Sequence, residues 1–185
     1  MKIISEIMNE KNIERTLMRL THEILEKNHG TEGVGIIGVR DRGDFLAKRI
    51  IDNIKKIEGK NVPLGLLDIT LYRDDFQRIT DSPVIKETEI SFDITDMKII
   101  LIDDVLYTGR TARAALDALI DFGRPAMIQL AVLLDRGHRE LPIKADFVGK
   151  NVPTSVNQQV QVQLKELDGQ DKVILIECQN RDKVN

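Results

Sequence analysis

A covalent staple is the first thing this chain lacks. Its single cysteine, Cys178, excludes an intramolecular disulfide and reads as an inert thiol. No apolar run approaches membrane-spanning length, and the first residues show no signal-peptide pattern. There is no internal repeat and no low-complexity tract. An excess of one charge is missing too: 27 basic residues face 30 acidic ones for a net charge of −3, so bulk charge announces no nucleic-acid partner and any basic surface has to be local. These absences predict a soluble cytoplasmic protein with no membrane partner. What the chain does have is apolar material, 42% of 185 residues, enough for one α/β domain over residues 1–185 with a full core.

The most informative stretch covers residues 99–111. Ile99-Ile100-Leu101-Ile102 is a continuous apolar run, the pattern of a parallel strand covered on both faces. Open α/β sheets bind ligands beyond the carboxyl ends of their strands, so chemistry is expected from Asp103 onward. Thr108-Gly109-Arg110-Thr111 then leads into an alanine- and leucine-rich helix former, residues 112–120, closed by Gly123 and Pro125. Free N–H groups at that helix start, its dipole and the hydroxyls of Thr108 and Thr111 suit a terminal phosphate, and Gly109 lets the backbone approach it. Asp103 and Asp104 would repel a bare anion. Sugar hydroxyls, with a divalent cation nearby, fit over them better. Successive strand side chains point to opposite faces, which disfavours a proton-sharing dyad. The ordinary alternative is a strand-end turn with a helix cap.

Elements alternate as in a doubly wound sheet. Ile13, Leu17, Leu20 and Ile24 predict a helix, residues 34–39 a strand, and Leu46, Ile50, Ile54 and Ile57 a second helix. Strands are expected near 62–70, 87–94 and 126–134, with a long polar loop at 74–83. Residues 160–164 read as a half-buried strand paired, through Asp168-Gly169, with 172–177. His29, beside Gly30, reads as a helix cap. Gly33, Gly35 and Gly38 satisfy a dinucleotide-binding spacing but sit inside a strand rather than after one, so a nicotinamide site is set aside. Gly109-Arg110-Thr111 lacks the first glycine and the lysine of a P-loop. Gly38-Val39-Arg40-Asp41-Arg42-Gly43 opens the second helix, where N–H groups and Arg42 can hold a second anion; solvated arginines at a helix start are the plainer reading.

Asp103-Asp104-Val105-Leu106-Tyr107-Thr108-Gly109-Arg110-Thr111 is similar to the signature of type I phosphoribosyltransferases. With residues 68–75, 134–143 and 149–155, the chain resembles over nearly its whole length the pyrimidine-operon attenuation regulators that are also uracil phosphoribosyltransferases, the PyrR family. The resemblance implies a type I phosphoribosyltransferase fold: a doubly wound, mainly parallel sheet flanked by helices, a small hood mainly over 150–185, and a flexible loop at about 71–86 that closes over the site. It implies a substrate set of Arg40, Asp41 and Arg42 in a pyrophosphate loop, the nine residues Asp103 to Thr111 on phosphoribosyl diphosphate, and Arg136 with backbone near Val160 on uracil. Asp103, Asp104, Arg73 and Arg42 are the implied catalytic residues. Magnesium is the implied cofactor, reached by Asp103 and Asp104 indirectly through substrate or water. Arg73 reads alternatively as a loop charge, and Asp41 stands where members commonly carry a hydroxyl residue.

Arg136, His138, Arg139, Lys144 and Lys150 form a local basic excess of the kind that contacts phosphates, and Arg15, Arg19, His22 and Glu26 share a helical face. A solvated face is the alternative. The resemblance assigns Arg19, His22, Lys27, His138, Arg139, Lys144 and Lys150 to a surface of a homodimer or larger homo-oligomer that binds the leader mRNA of pyrimidine operons, promoted by uridine nucleotides such as UMP and UTP. Lys27 and Lys144 stand where arginine is usual, and Met18 replaces a hydroxyl residue; lysine keeps charge but loses the planar fork. Rivals are a salvage phosphoribosyltransferase of other base specificity without RNA binding, and a regulator with only vestigial transferase activity.

Overall fold

The computed structural model describes residues 2–73 and 87–177. Cys178 and the expected loop at 74–83 lie outside them. Helical spacing of apolar residues becomes α1 (Glu10–Asn28), which buries Ile13, Leu17, Leu20 and Ile24. Its start is a reciprocal cap: the Asn9 side chain accepts from Asn12 N at 3.0 Å, and the Asn12 side chain accepts from Asn9 N at 3.2 Å. His29 ends it in the left-handed region at φ 58, the cap role expected of it. The second helix, α2 (Gly43–Glu58), buries Leu46, Ile50 and Ile54.

Five strands form one parallel sheet in the order β3-β2-β4-β5-β6, comprising β2 (Val34–Val39), β3 (Leu64–Leu67), β4 (Lys98–Leu106), β5 (Met127–Asp135) and β6 (Phe147–Asn151). Strand β4 shows why such strands read as unbroken apolar runs. Ile100 and Ile102 pack with α1, α2 and the hood, whereas Ile99 and Leu101 pack with α3 (Arg110–Ile120) on the other face. All four are at most 2% exposed, and each contributes about 1.5–3 kcal/mol by leaving water.

A separate antiparallel sheet, β1-β8-β7, makes the hood from β1 (Lys2–Asn9), β7 (Gln158–Gln163) and β8 (Lys172–Glu177). Here the sequence expectations need correction. The hood includes the N-terminal strand, which is almost wholly exposed at an edge and so carries no burial pattern to read. Between β7 and β8 the short helix α4 (Lys165–Asp168) ends at Gly169, instead of a tight two-residue turn. The strand expected at 62–70 stops at Leu67 and gives way to a 3-10 turn, Thr70–Tyr72. No strand forms at 87–94; only Glu89 bridges to Leu66. Its Ile90 and Phe92 instead cover the sheet where two glycines leave room: a Cβ at Gly35 would meet Phe92, and one at Gly65 would meet Ile90, each at 3.0 Å.

Candidate active site

Strand β4 delivers the carboxylate pair to the sheet's carboxyl edge, flanked by β2 and β5, with Asp103 opposite Val132 and Val105 opposite Leu134. Beyond it the chain turns at Gly109, φ 93, a conformation that favours glycine, and enters α3. The turn is braced from outside: the Thr108 carbonyl accepts from Glu140 N at 3.0 Å and Leu141 N at 3.1 Å. Arg110 points sideways to Glu140, 2.7 Å away. A cavity of about 560 Å³ opens above this turn, lined by Asp103, residues 105–112 and Arg73.

A second cavity of about 430 Å³ shares Arg73, Asp103, Val105 and Thr111 and adds Arg40, Asp41, Arg42, Asp68 and Asp104. Close packing makes the loop after β2 possible. A Cβ at Gly38 would fall 2.5 Å from Asp44 Cα, and one at Gly43 would fall 2.4 Å from Ile102 O. Gly38 and Gly43 thus serve the close approach of α2 to the sheet. The Arg40–Asp41 peptide bond is cis. Arg40 reaches Glu89 at 2.6 Å and Arg42 reaches Asp168 at 3.3 Å. Both Nε atoms are buried without a hydrogen-bond partner among the described residues, so the loop holds donors that an anion's oxygens can satisfy.

Burial raises the Asp103 carboxyl well above the usual carboxylate range, and the neighbouring Asp104 adds to the shift while Arg73 opposes it. Burial also raises Asp104, against a hydrogen bond from Val105 N and the charge of Arg42. Asp104 N donates to Asp103 Oδ1 at 2.9 Å, and Val105 N to Asp104 Oδ1 at 2.7 Å. The pair is thus oriented by backbone and under-compensated in charge, ready for hydroxyl donors or a cation.

A third cavity, about 420 Å³, joins Arg42, Asp104 and Val105 to Gln159, Val160 and Gln161 of β7. Val160 thus lines a cavity that it shares with Asp104. Arg136 is not among the described residues lining these three cavities. It is 6% exposed, stacks 3.9 Å from the Tyr107 ring centroid, and donates to Gln158 O at 2.7 Å and Thr154 Oγ1 at 3.2 Å. In this position it ties the phosphate turn to the hood.

The expected RNA residues fall into two groups. Helix α1 lies on β6, where Arg19 donates to Gly149 O at 2.5 Å, Lys27 meets Asp146 at 2.7 Å, and His22, Lys144 and Lys150 are exposed. His138 and Arg139 instead lie beside the phosphate turn, with the His138 ring 6.2 Å from that of Tyr107. Sequence reasoning missed Asp68, Asp168, Gln159 and Gln161 at the site. Asp68 lay within a quoted block, but the others reach it only through the hood's tertiary placement.

Residues 4–167 match the family described as Phosphoribosyl transferase domain, the class to which the sheet and its two anion-ready turns already pointed. The fold likeness extends to a hypoxanthine-guanine phosphoribosyltransferase structure from Bacillus anthracis, with TM-score 0.70 and 17% identity over 95% of this chain and 99% of that one. Much closer in sequence are proteins named Bifunctional protein PyrR. That of Thermus aquaticus is 60% identical over 96% of this chain and 98% of its own, and that of Pelotomaculum thermopropionicum is 54% identical over 94% and 96%. The chain belongs to the PyrR family.

Proposed function

We propose that this protein is a cytoplasmic uracil phosphoribosyltransferase, converting uracil and phosphoribosyl diphosphate to UMP and diphosphate, and that as a homo-oligomer it also binds pyrimidine-operon leader mRNA in a uridine-nucleotide-dependent manner, attenuating transcription. One phosphoribosyltransferase domain over residues 1–185 carries both roles. The observation that carries the transferase reading is the under-compensated Asp103–Asp104 pair standing between a helix-start phosphate turn and a loop of arginines whose buried Nε donors have no partner among the described residues.

In the reaction, the bond from the ribose anomeric carbon to diphosphate breaks as the bond to a uracil nitrogen forms, and the nitrogen's proton passes to water or to the departing diphosphate. The turn 108–111 holds the 5-phosphate with backbone N–H groups and hydroxyls. Asp103 and Asp104 accept hydrogen bonds from the ribose hydroxyls and favour positive charge developing on the ring. Arg42 and Arg73 lie where charge on the departing diphosphate collects. The hood, through the backbone around Val160, presents amide groups to the pyrimidine edge. No side chain acts as a nucleophile.

Among the described residues, no group of three His, Cys, Asp or Glu side chains is placed to hold a metal. Asp41, Asp68, Asp103 and Asp104 nevertheless line one cavity with the arginines, a donor set that fits magnesium arriving with its substrate. When bound, that ion supplies charge neutralisation for the diphosphate.

A base panel tests the transferase half: with phosphoribosyl diphosphate, uracil should yield UMP while hypoxanthine and guanine yield nothing. Purine nucleotide formation instead would reassign the protein to purine salvage. Binding of leader RNA across a salt series, with and without UMP, tests the regulator half. Weak, nucleotide-indifferent binding lost in moderate salt would leave an enzyme with a basic face.

A further inference from the structure

The cations at the expected RNA surface are not equally available to RNA. Lys27 pairs with Asp146 in the open, with side chains 47% and 33% exposed, and exchanging such a partner for a phosphate is nearly free. Arg139 is held differently. Its Nε donates to Ile143 O at 2.9 Å, and its Nη1 donates to Tyr107 O at 2.7 Å and Gly137 O at 3.2 Å. Nη2 pairs with the Asp135 carboxylate, whose other oxygen accepts from Gly137 N at 2.9 Å.

These acceptors are the walls of the phosphate turn. Tyr107 lines the cavity above the turn, and the side chains of Leu141 and Ile143 stand 3.4 Å from where a Cβ on Gly109 would lie. Swinging the guanidinium outward to an RNA phosphate would break its bonds to the carbonyls of Tyr107 and Ile143 and leave a half-buried carboxylate without its cation.

We infer that Arg139 is a positioning residue of the phosphate turn, clamping Tyr107 to residues 141–143 around Gly109, and that it acts on RNA only through the nucleotide site and not by touching RNA. The RNA arm rests on the regulator reading above; the transferase arm stands without it.

Full-length Arg139→Gln and Arg139→Lys variants test this, with kcat and KM for phosphoribosyl diphosphate measured beside leader-RNA affinity over a salt series with and without UMP. Both variants should raise KM about tenfold with a much smaller change in kcat, because grip on the ribose phosphate is common to ground and transition states. Lysine should fail to rescue, since an ammonium cannot bridge a carboxylate and two carbonyls in one plane. RNA binding should lose its stimulation by UMP while the slope of log affinity against log salt stays that of the wild type. An unchanged KM, a slope shallower by about 0.7–0.9 in Arg139→Gln, and full rescue by lysine would mean a direct phosphate contact and overturn the assignment. Should Arg139→Gln not fold, Arg139→Lys decides on KM and UMP stimulation. If the wild type binds no leader RNA, the regulator reading fails and KM alone judges the clamp.

Discussion

Two pairs of carboxylates in this chain have opposite electrostatic fates. Glu166 and Asp171 close on Arg49, which gives Nη1 and Nη2 to Asp171 at 2.8 Å and Nε and Nη2 to Glu166 at 3.0 and 2.7 Å. Burial alone would lower the Arg49 pKa, yet the hydrogen bonds it donates to its two carboxylate partners raise it above its ordinary value. Burial works upward on Asp171, but the Arg49 hydrogen bond and Lys165 N hold it below the usual range; Glu166 is lowered chiefly by its own bond to Arg49. Asp103 and Asp104 are buried side by side, and burial outweighs the opposing charges of Arg73 and Arg42, so both are raised. The first pair anchors the hood to α2 and is complete as it stands. The second is a cost to the fold that a ligand's hydroxyls, or a cation, would remove, as expected of a site organised before its substrate arrives.

The largest effect should come from breaking the second pair. Replacing both Asp103 and Asp104 by Asn should lower kcat by roughly 100- to 1000-fold, the loss typical of removing preorganised charge at a reacting centre. Unchanged turnover in steady-state assays would remove the pair from the chemistry. Breaking the first pair should cost stability instead. Arg49→Met leaves Asp171, 4% exposed, without its cation, and should destabilise the fold by about 2–3 kcal/mol, less than for a fully buried pair because Glu166 is 32% exposed. The midpoint of urea unfolding reads this directly, and an unmoved midpoint would show that the clamp contributes nothing.

The pH dependence sharpens the contrast because its sign differs between the pairs. Glu166 and Asp171 have lowered values in the fold, so their stabilisation is full above the ordinary carboxylate range and is lost as pH falls through those lowered values. Asp103 is raised, so the folded state holds its proton more tightly than the unfolded chain; its contribution is present below 3.8 and is lost as pH rises through the raised value. Asp103→Asn should therefore gain on the wild type in thermal stability as pH climbs from 3.8 toward neutrality, by a few degrees. A gain that is flat with pH would mean that Asp103 ionises as freely folded as unfolded.

The pairs also differed in legibility. Asp103 and Asp104 could be read from sequence because everything that gives them meaning, the buried strand before and the glycine turn after, lies within a dozen residues. Arg49 and Asp171 are 122 positions apart, and nothing local in Asp168-Gly169-Gln170-Asp171 distinguishes a clamp from a polar turn. The same division runs through the fold. Strands of the parallel sheet announce themselves by two-sided burial, whereas β1 is an exposed edge strand and β6 a five-residue strand with one buried side chain. Arg136, expected at the base, packs against Tyr107 and donates to Gln158 O, contacts that depend on the hood's placement over the turn and on nothing local in the sequence.

Asp168 stands between the two pairs and offers the smallest, most diagnostic change. It belongs to the helix that carries Glu166, yet its carboxylate holds Arg42, whose charge bears on Asp104. Its Oδ2 also accepts from Leu164 N at 2.8 Å, a bond that an asparagine oxygen can keep. Asp168→Asn should thus preserve the turn and remove only the charge that competes with diphosphate for Arg42. At 3.3 Å, with side chains 29% and 24% exposed, that pair is weak, so KM for phosphoribosyl diphosphate should fall by only about two- to threefold, and less at high salt. A rise in KM would reverse the role: Asp168 would then be aiming Arg42 at the diphosphate, and the hood's acidic turn would belong with the active-site machinery and not with the clamp.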